Sequence, residues 1–133
     1  MDPNHQLKTF IRSTLGCNCP DPVFEHIDIN SDDSLTRIVV GGRLLIHLAR
    51  PNPNALDDRS IPDHVQRGKT ERDDKAYNRF RLVLAASASD AARRELFELA
   101  RDGDDKLHLH IIARDEHERI LSICQNMVSR ANA

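Results

Sequence analysis

Residues 79–113 run strand, helix, strand, and that succession admits few folds. Arg79–Ala86 and Lys106–Ala113 alternate apolar and polar residues. Between them Ala92, Leu96, Phe97, Leu99 and Ala100 recur at helical spacing after a cap at Ser89 or Asp90, and Gly103 closes the helix. Two strands joined through a helix pair in parallel by a right-handed crossover, so this quarter of the chain predicts a parallel sheet core.

Upstream, Leu35–Val40 and Arg43–Arg50 flank Gly41-Gly42. Both glycines tolerate positive φ, which is what a tight hairpin turn demands. Leu7, Phe10, Ile11, Thr14 and Leu15 form a helical stripe that Gly16 can end. Asp115 with Glu118 opens a last helix whose stripe includes Ile120, Leu121, Ile123, Cys124 and Met127. The expectation is an α/β (α+β) fold: an N-terminal helix, a β-hairpin, then β-α-β-α around a mixed sheet of about four to five strands.

A chain of 133 residues is expected to form a single domain over residues 1–133. Residues 51–76 hold many charges and only Leu56, Ile61 and Val65 as sizeable apolar groups. That composition predicts a long charged, mobile loop or flap.

Sorting strand residues by face gives one apolar set, from Ile38 and Val40 through Leu44, Ile46, Leu48, Phe80, Leu82, Leu84, Leu107, Leu109 and Ile111. The opposite set holds Arg37, Arg43, His47, Arg79, Arg81, His108 and His110. A sheet with one apolar face is covered by helices on that face only, which predicts a two-layer sandwich. In element order the chain resembles the ribonuclease H-like fold, whose acidic residues bind magnesium. Asp28, Glu95 and Asp115 fall on a strand, a helix and a post-strand turn, and no motif accompanies that order.

The pattern with most chemical content is Gly16-Cys17-Asn18-Cys19-Pro20. A thiolate is both nucleophile and metal ligand, and a helix start lowers its pKa. Cys19 before Pro20 is therefore the candidate nucleophile, with Cys17 the resolving thiol. As ligands the pair selects zinc or another soft metal, and His108 and His110, two residues apart on one strand, are candidate further ligands. Cys124, on an apolar stripe, reads as core filler.

Arg37, Arg43, His47, Arg79 and Arg81 form the second candidate site. Forked guanidinium bonds suit carboxylate or phosphate, and an open face of this kind suits a protein partner or a second copy in a homodimer. Nucleic acid fits poorly. The 19 lysines and arginines are balanced by 21 aspartates and glutamates, and the four phenylalanines fall on predicted core faces rather than stacking platforms. No membrane-spanning run and no secretory leader is read, and three cysteines leave one unpaired, so the expected compartment is cytoplasmic. Two functions follow as expectations: a Cys-x-Cys thiol site for reversible redox or soft-metal binding, and a non-catalytic interaction or oligomerisation module using the Arg/His face. No phosphate-binding glycine loop, nucleophile elbow or zinc helix motif is present.

Overall fold

The structure is a computed structural model that describes residues 3–16, 24, 26–31, 35–49, 61–87 and 90–131. Cys17 and Cys19, like residues 51–60 of the charged segment, lie outside the described residues. The elements in chain order are α1 (Pro3–Ser13), β1 (Ile27–Ser31), β2 (Leu35–Val40), β3 (Leu44–Ala49), α2 (Ile61–Lys75), β4 (Arg79–Ala85), α3 (Asp90–Arg101), β5 (Leu107–Ile112) and α4 (Arg114–Ala131). The mixed sheet, the N-terminal helix, the hairpin and the alternating strands and helices follow the sequence expectation.

The strands lie in the order β1-β2-β3-β4-β5. β1, β2 and β3 form an antiparallel meander, and β4 and β5 extend it in parallel with β3. Gly41 and Gly42, at φ 59° and 65°, turn β2 into β3 as the paired glycines predict. The first strand, Ile27–Ser31, which carries Asp28, alternates exposed Asp28 and Asn30 with half-buried Ile27 and Ile29.

The covering of the sheet departs from the two-layer expectation, because helices pack on both faces. α1 and α4 cover one face over Ile38, Val40, Leu44, Ile46, Leu48, Val83 and Ile112. α2 and α3 cover the other over Val39, Leu45, Phe80, Leu82, Leu84 and Leu107. The cause is visible in the register. Leu44 lies beside Arg79 and Leu45 beside Phe80, so the apolar phase changes face between β3 and β4. β3 carries the change because all six of its residues are buried. A strand buried on both faces has no alternation to reveal its phase.

α2 corrects the expected loop, since Ile61–Lys75 is helical. Its buried residues Ile61, Val65, Gly68 and Arg72 follow helical spacing, but two of the four are not apolar. Gly68 is where the helix meets the sheet: a Cβ there would clash with the Phe80 ring. Arg72 pairs with Asp104 at 2.9 Å and Asp73 at 3.0 Å. The hydrogen bond to Asp104 does most to hold the guanidinium charged, and the same bond lowers the Asp104 pKa. The bond to Asp104 ties α2 to the turn after α3.

Candidate functional site

The Arg/His set divides between the two faces. Arg37 on β2 and His47 on β3 are register partners facing α2. From α2, Glu71 reaches both: Arg37 Nη1 donates to Oε1 and Arg37 Nε pairs with Oε2, each at 3.2 Å, while His47 Nε2 lies 3.3 Å from Oε1. His47 is fully buried and stands edge-on to Phe80, with ring centroids 4.8 Å apart. One carboxylate thus serves two basic groups and pins α2 to the sheet. Arg43 lies apart from both faces, exposed in the β2–β3 turn, and contributes its carbonyl to the backbone N–H groups of Asn78 and Arg79.

Arg79 and Arg81 on β4, with His108 and His110 on β5, project from the opposite, α1/α4 face. Arg79 is exposed, the two imidazoles are half-buried, and Arg81 is 8 % exposed. Arg81 Nη1 lies 2.8 Å from His110 Nε2. A guanidinium has no acceptor, so it donates and the His110 ring receives the bond on a neutral nitrogen. Burial, then Arg81 and His108, push the His110 pKa down to about 4. His108 is lowered in the same way, first by burial and then by Arg81 and Arg79. Arg81 is itself lowered, by burial and by Arg79. Its Nε and His108 Nε2 have no hydrogen-bond partner among the described residues.

This arrangement is suited to an anion. A cation at His110 would compete with a guanidinium for the same lone pair and would face two further positive or polar neighbours. Among the described residues no three His, Cys, Asp or Glu side chains group as a metal site. His117, the other nearby histidine in sequence, is sealed at 0 % exposure on α4, where burial lowers its pKa. It is therefore closed to any ligand reaching His108 and His110. Cys124 is fully buried, and burial pushes its thiol up to about 12, as a core filler requires.

The acidic residues that accompany the ribonuclease H-like element order, Asp28, Glu95 and Asp115, are each exposed on separate elements. Asp90, read as a cap, accepts from the Ser87 backbone N–H at 2.9 Å and pairs with buried Arg93 at 3.0 Å. An open groove of about 490 Å³ runs along α2, lined by Arg37, Arg67 and Lys75 against Asp63, Glu71 and Asp74. Its charges balance, so it has no preference for either sign.

Glu71 is the residue that sequence reasoning missed. Its signal lay in the i, i+4 and i+7 spacing of Ile61, Val65 and Gly68, which sets the sheet-facing side of a helix and places Glu71 beside it. Comparison with family models, curated proteins and solved structures gives no match. Among the described residues no helix is long and apolar enough to cross a membrane.

Proposed function

We propose that this protein is a non-catalytic binding module that takes acidic groups of a partner on the Arg79, Arg81, His108 and His110 face. The observation that carries the reading is Arg81. A guanidinium removed from water costs several kcal/mol unless a counter-charge offsets it, at about the scale known for buried ions. Arg81 is 8 % exposed, its ring partner is neutral, and no carboxylate pairs with it among the described residues. A carboxylate or phosphate arriving from outside supplies the missing charge. Exposed Arg79 and the half-buried imidazoles form the reachable rim, with Arg81 at the base.

Titration of His110 by NMR tests this. Sulfate, which keeps its charge in acid, should bind saturably and raise the His110 pKa from about 4. Arg79→Glu, at an exposed position, should weaken that binding by about three- to tenfold. An unmoved His110 titration at saturating sulfate would sink the proposal.

A second reading rests on Cys17 and Cys19. Their one-residue spacing suits reversible pairing or shared ligation of a soft metal. Thiol counting after mild oxidation, with metal analysis of reduced protein, tests it. A Cys17–Cys19 bond or a bound soft metal supports the reading, and neither appearing removes it.

A further inference from the structure

Among the described residues β5 is an edge strand, paired with β4 alone. The Phe80 N–H donates to the Lys106 carbonyl and the Ala86 N–H to the Ile112 carbonyl. In a parallel ladder that parity turns the backbone groups of His108 and His110 toward β4 and those of Leu107, Leu109 and Ile111 outward. Leu107 is already satisfied: its N–H reaches the Asp104 carbonyl, and Arg101 Nη1 caps its carbonyl at 3.3 Å. The N–H and C=O groups of Leu109 and Ile111 have no partner among the described residues. Edges are normally guarded by lysine, proline or a bulge. Leu107–Ile112 reads Leu-His-Leu-His-Ile-Ile, with six continuous register pairs and none of these devices.

We propose that β5 receives an extended segment of a partner protein as a sixth strand, one that alternates acidic and apolar side chains. The proposal rests on the acidic-partner reading above and adds the backbone that presents the acid. Side chains of an added strand alternate between faces. Those level with His108 and His110 lie on the basic face beside the two imidazoles. Arg79 and Arg81 stand about 10 Å of backbone spacing away across β5, a gap that facing glutamate and arginine side chains can close. Those on the other face meet Leu109 and Ile111, which are only half-buried at the margin of the α2/α3 core. A second copy of β5 would match the apolar face. It brings histidines and no carboxylate to the basic one, so it leaves Arg81 uncompensated. Charge complementarity therefore selects an acidic strand.

The test uses the full chain and a capped eight-residue peptide alternating glutamate and valine, with amide hydrogen exchange read by NMR. Saturating peptide should slow exchange at the Leu109 and Ile111 amides on the order of tenfold. Methylating the peptide's edge-facing amide nitrogens, or replacing its glutamates by lysine, should weaken binding about tenfold each. Ile111→Pro removes an outward N–H that the sheet does not use, and should abolish protection of the Leu109 amide while leaving the sulfate response intact. Peptide binding without amide protection, or equal binding of the methylated peptide, overturns strand addition. Protection that rises with protein concentration alone assigns the edge to a second copy and also overturns it. A His110 response to sulfate alongside unprotected amides leaves the acidic-group reading standing; silence in both experiments removes both.

Discussion

Under α2, Arg37 and His47 share the carboxylate of Glu71, whereas on the opposite face Arg81 leans on a neutral His110 and meets no carboxylate among the described residues. The residue types are the same, and both clusters bridge adjacent strands. They differ in what the covering helix brings. α2 delivers an acid onto the sheet, so its cluster is closed electrostatically and works as a clamp. The β4–β5 cluster sets Arg79 and Arg81 beside two imidazoles, and among the described residues no carboxylate pairs with Arg81. An arginine and histidine pair on a sheet therefore carries no functional meaning until the element packed over it is known.

That contrast breaks first at the helix that makes it. Gly68→Val would drive a branched side chain into the Phe80 ring and lift α2 from the sheet. The expected cost is about 3 kcal/mol, read as a lower urea midpoint. A midpoint equal to the parent's would mean that α2 docks more loosely than its contact with Phe80 indicates.

Glu71→Gln comes next. It leaves Arg37 and fully buried His47 without their shared charge, with an expected loss of about 1–2 kcal/mol in the same measurement. Loss of the clamp should also speed exchange of the α2 amides.

Acid should act through the other cluster. With its folded pKa held at about 4 against an ordinary 6.5, His110 stays neutral in the folded chain where the unfolded chain would protonate it. The unfolded state then binds more protons between those values, so stability falls as pH drops through that window. His108 and His117, also lowered, add in the same direction. From about pH 7 to about pH 5 the His110 share is about 1–2 kcal/mol, and His110→Gln should flatten the slope by that amount. An unchanged slope would place the titration elsewhere.

The smallest expected effect is the sharpest for the comparison. Arg81→Gln keeps an N–H donor for His110 and removes a desolvated charge, so stability should stay within about 0.5 kcal/mol of the parent or rise. A loss as large as that of Glu71→Gln would make the two clusters equivalent and end the distinction drawn between them.

The element order was legible because periodicity is a local property. Phe80, Leu82 and Leu84 alternate, Ala92, Leu96 and Ala100 recur every fourth residue, and Gly41-Gly42 supplies the positive φ that a tight hairpin turn demands. α2 was hidden because one of its sheet-facing positions is a glycine and another an ion-paired arginine, so composition counted a packed helix as solvated chain. Of the candidate binding residues, Arg79, Arg81, His108 and His110 do come together, while Arg37 and His47 belong to the clamp and Arg43 to a turn.

Alone, the amino-acid order determined the first helix, the β2–β3 hairpin and the succession β4-α3-β5-α4, and that histidines 108 and 110 share a side of one strand. Only the tertiary structure decided which side that is, because β3 is apolar throughout and conceals the phase linking β2 to β4. It also decided which basic residues receive a carboxylate, since Glu71 reaches Arg37 and His47 across 34 and 24 residues of chain. Alternation is written within each strand, but register and charge pairing between distant elements are set by packing.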